Sequence, residues 1–259
     1  MPGLRSLIDG MDLWQFRDMV SPVFFSLFPP RVLLREARRL FTNYRDPEGF
    51  ANARRATGST LQRAGVSVTL AQPPGCLLAS SAPHAVALSP QLRKDRGQAV
   101  LQLYFAQLWM APTPALLDLS LHAFKSDSSG TAMQWDPQPL YAEWRPEFRT
   151  AIHDLYRGFY RDDQIAFARG TRVLGMTSAR QVLLEHFSQR NQVAFSVRQF
   201  HDAFHEVFTC CAQGERNPLP PEFLTFGVCL ATLHQHLEQL GVELDVRQAY
   251  ERIEQLRLQ

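Results

Sequence analysis

The segment FHDAFHEVFTCC (200–211) concentrates residue types that bind metal ions or act as catalytic acids and bases. His201 and His205 are four residues apart, so on a helix both imidazoles lie on one face, as two ligands of one metal ion must. A complete site needs ligands from a second element. His234, which borders the apolar stripe of the next predicted helix, is the best-placed donor. The sequence therefore predicts a candidate divalent-metal site at His201, His205 and His234, with one carboxylate completing it.

The same segment also has the periodicity of an ordinary core helix. At about 100° per residue, one arc of the helix is apolar and must face the interior. That arc consists of Val197, Phe200, Phe204, Val207, Phe208 and Cys211. The two histidines border the arc and Asp202 lies on the opposite side. This placement favours histidines at the edge of the core over metal ligands, with the ring carbons packed on apolar side chains and the ring nitrogens in contact with water. In this interpretation no cofactor is predicted.

A second candidate is the doublet His153-Asp154, with His122 before it and Asp202 or Asp245 after it. This order resembles the metal-dependent phosphohydrolases named for their His-Asp doublet, and the resemblance implies metal ligation by these side chains. The helical pattern predicts a different role. Asp154 falls opposite the buried face of its helix, beside Arg157 and Arg161, where it is expected to be a surface ion partner.

Other catalytic signatures are missing from the sequence. There is no phosphate-binding glycine loop, no dinucleotide-binding glycine pattern and no Gly-x-Ser-x-Gly turn. The cysteines Cys76, Cys210, Cys211 and Cys229 have neither zinc-site spacing nor the density of a disulfide framework. We expect reduced, mostly buried thiols.

The N-terminal region combines aromatic and basic residues. Such a segment can dock on an anionic membrane surface or grip a protein partner, although packing of the aromatic residues into the core is favoured. The candidate interaction surface consists of Trp14, Phe16, Phe24, Phe25, Phe28, Arg31, Arg35, Arg38 and Arg39.

Composition excludes some classes of protein. The net charge of +2 is too small for a protein whose main task is to neutralise nucleic-acid phosphates, so no nucleic-acid partner is predicted. The most apolar stretch (20–34) is broken by three prolines and Arg31, so no transmembrane helix is expected. No secretory signal is visible, and a cytoplasmic location is the expectation.

The hydrophobic pattern predicts an α+β fold that is mainly α. Helices are expected over 1–65, a small antiparallel sheet with one helix over 66–136, and a helical bundle over 146–259, in what we expect to be one compact unit (1–259). Asp46, Ser89, Ser196 and Asp245 are predicted N-caps, Gly58 is a predicted helix end and Gly241 a predicted C-cap. A short strand is also expected over 85–88. In LDLSLHAF (117–124) the alternation predicts a strand that forms a hairpin with a strand ending at Trp135.

Three functions follow from these observations. The first is a non-catalytic regulatory, adaptor or assembly protein whose partner is another protein or a second copy of the chain. The second is a metal-dependent hydrolase or oxidoreductase that uses the three histidines. The third is binding of a hydrophobic ligand, or peripheral membrane contact, through the N-terminal segment.

Overall fold

The computed structural model of the chain describes residues 26–71, 88–110, 114–126, 132–187, 192–214 and 219–257. The helices in these ranges are α1 (Pro30–Tyr44), α2 (Pro47–Arg63), α3 (Pro90–Trp109), α4 (Pro146–Arg161), α5 (Gln164–Val173), α6 (Arg180–Phe187), α7 (Val197–Gly214), α8 (Glu222–Leu240) and α9 (Val246–Arg257). The strands are β1 (Val68–Leu70), β2 (Ala115–Leu116), β3 (Phe124–Ser126), β4 (Met133–Trp135), β5 (Tyr141–Ala142), β6 (Gln192–Ala194) and β7 (Glu243–Asp245). The predicted class, α+β and mainly α, is confirmed.

The helix ends follow the predicted capping residues. Asp46 and Ser89 accept hydrogen bonds from the backbone N–H groups three residues ahead, at 2.9 and 3.2 Å. Ser196 and Asp245 do the same at the starts of α7 and α9. Gly241 ends α8 in the left-handed conformation with φ +60°, where a side chain would be strained. One predicted end is wrong, since α2 runs through Gly58 to Arg63.

The short strands form three small sheets in the described part of the chain. β3 and β4 pair antiparallel, with Phe124 opposite Trp135, so a hairpin ends at Trp135 as predicted, but its first strand is Phe124–Ser126 and not 117–124. β1 pairs with β4 in parallel, so the three-stranded sheet β1-β4-β3 is mixed and not antiparallel throughout as predicted. The reason is topological, because α3 lies between the two strands in sequence and allows a parallel return. The strand expected at 85–88 lies almost entirely outside the described residues.

The strand predicted over 117–123 is also wrong. Only Ala115–Leu116 pairs with β5, and Leu121–Ala123 is a 3₁₀ turn. The Leu117 N–H still bonds to the Leu140 carbonyl at 3.0 Å, but the backbone groups that follow bond to side chains of α8. Thr232 Oγ1 donates to the Leu117 carbonyl at 3.0 Å and accepts from the Leu119 N–H at 3.2 Å. His236, one turn later, hydrogen-bonds through Nδ1 to the Leu119 carbonyl at 3.0 Å.

Asp118 provides further hydrogen-bond acceptors within this segment. Its carboxylate accepts hydrogen bonds from the Ser120 hydroxyl and N–H and from the Gln138 N–H. Its carbonyl accepts from the Trp135 indole at 2.8 Å. Apolar residues therefore alternate here without a strand partner, because a buried carboxylate and a helix supply the hydrogen bonds.

The interior is organised around α3, whose last third is buried all round. Leu101, Leu103 and Phe105 are each at most 2% exposed. The buried apolar side chains run from Phe28 to Ile253 in one contiguous cluster, which includes residues of both the N-terminal and the C-terminal helices. None of the helices in the described ranges is long and apolar enough to cross a bilayer.

Candidate ligand cavity in the helical bundle

A cavity of about 670 Å³ lies between the helices of the C-terminal bundle and α3. Each helix contributes the residues that its 3.6-residue period places on the inner face. The wall residues are Leu101, Tyr104 and Phe105 from α3, Ile152, Leu155, Tyr156, Phe159 and Tyr160 from α4, Gln199, Phe200, Ala203 and Phe204 from α7, and Phe223, Phe226, Leu230, Leu233 and His234 from α8. Sequence periodicity identified most of these positions as apolar but gave no sign that they enclose a space.

Polar and charged residues concentrate where α6, β6, β7 and the start of α7 border the cavity. Glu185, Asp202 and Glu243 line it with side chains that are also exposed to solvent. His186 lies beside them and its Nε2 is 2.9 Å from a carboxylate oxygen of Glu206 on α7. These residues form the rim, and the apolar residues form the body.

His234 differs from every other wall residue because it places an imidazole among apolar rings. Its ring centroid lies 4.0 Å from that of Phe200 and 5.0 Å from that of Phe195. Its Nδ1 is shielded from water and has no hydrogen-bond partner. Burial lowers the pKa of His234 to about 3, so the ring is neutral at physiological pH.

A second polar feature of the wall is a pair of phenols. The hydroxyls of Tyr104 and Tyr156 are 2.7 Å apart and share one hydrogen bond. Burial raises the pKa of both tyrosines, and the neighbouring Cys229 thiol has its pKa raised to about 12 by burial. All three groups are therefore protonated at neutral pH, and none is an activated nucleophile.

The three predicted metal ligands do not come together around one point. The rings of His201 and His205 lie nearly parallel on the outer face of α7, with centroids 6.2 Å apart. His234 instead lines the cavity on α8. No group of three or more His, Cys, Asp or Glu side chains in the described ranges is arranged to hold a metal ion. Asp202, expected to point away from the histidines, has a carboxylate oxygen 3.3 Å from His201 Nδ1.

The His153-Asp154 doublet is split between two structural roles. His153 Nε2 accepts a hydrogen bond from Arg257 at 3.1 Å, and burial lowers the pKa of His153 to about 4. Asp154 is buried and forms a two-point ion pair with Arg169 of α5. The predicted surface pairing with Arg157 or Arg161 is therefore wrong.

The close approach of α5 explains why Asp154 is covered. A Cβ atom at Gly170 would lie 2.7 Å from the Ala151 carbonyl oxygen, so α5 packs directly on the backbone of α4. Helix periodicity indicates which face of α4 is polar, but it does not show that a glycine in the next helix allows that face to be buried.

The candidate N-terminal surface is only partly described. Trp14, Phe16, Phe24 and Phe25 lie outside the described residues. Phe28 is 4% exposed and belongs to the core, which agrees with the favoured interpretation and removes Phe28 from the candidate surface. The four arginines predicted beside it, Arg31, Arg35, Arg38 and Arg39, are exposed on α1. Arg35 and Arg39 also lie 3.1 and 3.9 Å from the carboxylate of buried Glu36.

The cysteines behave as expected where they are described. Cys210, Cys211 and Cys229 are not in disulfide bonds, and two of them are buried. The adjacent pair on α7 forms no bridge.

No protein-family model matches the sequence, and no curated protein matches it.

Proposed function

We propose that this protein binds a hydrophobic small molecule in the cavity between α3, α4, α7 and α8. The observation that carries this proposal is a cavity of about 670 Å³ with an apolar, largely aromatic wall and an imidazole in it. Small-molecule sites usually span about 300–1,000 Å³ and combine an apolar lining with a few polar groups. Protein interiors otherwise pack with few voids larger than a water molecule, so a space of this size is a feature that packing alone does not require.

The protonation states of the neighbouring groups favour binding without chemistry. The phenols and the Cys229 thiol are held in their neutral forms by burial, and the imidazole is neutral as well. A nucleophile next to a base that could accept its proton is the usual sign of covalent catalysis, and these groups do not form such a pair. The proposal therefore keeps the non-catalytic role predicted from the sequence and moves the hydrophobic-ligand site from the N-terminal segment to the bundle.

The test uses N-phenyl-1-naphthylamine, an uncharged probe whose fluorescence rises in apolar surroundings. Ala203 lines the cavity on α7 and is 5% exposed, so Ala203→Trp fills part of the space. Ala212 lies on the same helix in solvent, and Ala212→Trp is the matched control. We expect the wild-type protein and the control to bind the probe with the same affinity. Ala203→Trp should bind it at least about tenfold more weakly.

Ala203→Leu serves as a milder filling variant if the tryptophan lowers the melting temperature. Absence of probe binding by the wild-type protein would refute the proposal, as would equal binding by both filling variants and the control. Bound probe should also raise the melting temperature of the wild-type protein, because a ligand that binds only the folded state stabilises it.

A second candidate function, peripheral contact with an anionic membrane, rests on the surface of α1. Leu34 is 63% exposed and lies one helical turn from Arg31 and from Arg38 on the same side. An exposed apolar residue between cations can insert among anionic headgroups. The double variant Arg31→Glu/Arg38→Glu should lose co-sedimentation with phosphatidylglycerol vesicles.

The charge-matched control for this experiment is Arg55→Glu/Arg172→Glu, on exposed residues of α2 and α5. Phosphatidylcholine vesicles should retain neither the wild-type protein nor the variants. Equal sedimentation of both double variants with the anionic vesicles would contradict a role for α1. A regulatory or adaptor role through a protein partner remains a prediction from the sequence.

A further inference from the structure

The cavity wall contains polar groups whose hydrogen-bonding capacity the fold does not use. His234 Nδ1 is buried without a partner. In the Tyr104–Tyr156 pair one hydroxyl donates to the other, so the accepting hydroxyl keeps a hydrogen atom that can still be donated. Buried polar groups are almost always paired in folded proteins, and an unpaired one calls for an explanation.

The charges around the cavity discriminate between classes of ligand. Among the described residues, the charged side chains that line it are those of Glu185, Asp202 and Glu243, and none of these described lining residues is a lysine or an arginine. An anionic ligand would therefore meet like charges at the rim and no basic partner in the body. A cationic group seated in the body would lose its hydration among Phe and Leu side chains without gaining a buried carboxylate.

A polar group that can both donate and accept a hydrogen bond matches these wall groups best, because it can bond to the imidazole in either tautomer. A neutral imidazole has one nitrogen that donates and one that accepts, and the tautomer decides which nitrogen has which role. The tyrosine pair offers a donor. A hydroxyl group satisfies either role, whereas a carbonyl oxygen only accepts.

We propose that the ligand of this cavity is an uncharged hydrophobic molecule with a hydroxyl group, an alcohol or phenol, which hydrogen-bonds to His234. This inference rests on the proposed binding function and adds the chemical class of the ligand. The aliphatic or aromatic body of the ligand fills the space between α4 and α7.

The experiment measures displacement of N-phenyl-1-naphthylamine by three competitors with one chain length, 1-decanol, decanoate and decylammonium, at neutral pH. We expect decanol to displace the probe at a concentration about tenfold lower than either charged competitor. Equal or better competition by decanoate or decylammonium overturns the proposed ligand class. If the probe does not bind the wild-type protein at all, the binding function itself has failed, and the two failures are thereby distinguished.

The role of His234 is tested by His234→Phe, which keeps an aromatic ring and removes both nitrogens. The variant should still bind the probe, but decanol should lose most of its advantage over the charged competitors. His205→Phe, at an exposed position of α7, is the matched control and should compete like the wild-type protein. If the phenylalanine variant has a lower melting temperature than the wild-type protein, His234→Leu is used in its place. An unchanged advantage for decanol in a folded His234 variant overturns the assignment of His234 as the hydrogen-bonding partner.

Discussion

The hydroxyl of Thr232 should contribute more to stability than a typical helix threonine, because it holds the irregular segment that replaced the predicted strand. It donates to the Leu117 carbonyl and accepts from the Leu119 N–H, and both leucines are 0% exposed. Thr232→Val keeps the shape and the β-branching of the side chain and removes these bonds, together with the contact of the hydroxyl to the Cys229 carbonyl of its own helix at 3.1 Å. The substitution therefore isolates the hydroxyl.

The magnitude follows from the two backbone groups that lose their partner. A buried donor or acceptor left unsatisfied costs about 1–3 kcal/mol, and the added methyl group recovers part of that cost. We expect the free energy of unfolding to fall by about 2–4 kcal/mol. For a domain of this size each kcal/mol corresponds to about 2–4 °C, so the melting temperature should fall by roughly 4–16 °C.

The assay is urea denaturation followed by circular dichroism, with the midpoints compared at an unchanged slope. Thr209→Val is the matched control, since the Thr209 hydroxyl bonds only to the His205 carbonyl of its own helix at 2.8 Å. That control should change stability by about 0.5 kcal/mol or less. Thr232→Ser keeps the hydroxyl and should lose about 1 kcal/mol for the missing methyl group. Equal effects of the two valine substitutions would refute the reasoning.

Two further predictions concern pH and backbone conformation. His236 is fully buried and its pKa is lowered to about 3, so between pH 6.5 and about 3 the unfolded chain binds a proton that the native state does not. The free energy of unfolding should therefore fall as the pH falls, by about 2 kcal/mol for this residue between pH 6.5 and 5. His236→Gln should reduce that slope and exposed His205→Gln should not; identical slopes in denaturation at several pH values would count against the prediction. Gly241→Ala should destabilise by about 1–2 kcal/mol because φ is +60° there, whereas Gly58→Ala, in the interior of α2, should stabilise by about 0.5–1 kcal/mol. Thermal melts of the two variants should shift in opposite directions, and shifts of the same sign would contradict the assigned conformations.

The sequence predicted most helices and caps because their signals are local. A cap such as Ser196 acts on an N–H three residues away, and the stripe on α8 recurs within each turn. The prediction of a strand at 117–123 was wrong because backbone groups of this segment bond to side chains of α8, which lies more than 100 residues away in sequence. Gly58 was predicted to end α2 because glycine disfavours helices. The prediction was wrong because this cost is only about 1 kcal/mol, which tertiary packing outweighs.

The cavity could not be predicted from the sequence because its wall uses the same residue types as a filled core. The apolar periodicity that includes Phe200 and Phe204 is the same whether another side chain or a ligand lies opposite them. The one local signal was His234, a titratable residue beside the apolar stripe of α8, and the sequence interpretation used it as a metal ligand. The structure places it with aromatic rings, away from the outer face that carries His201 and His205. An imidazole in that position does not share a metal ion with His201 and His205, and the proposed ligand class rests on it as a polar group in an otherwise largely apolar wall.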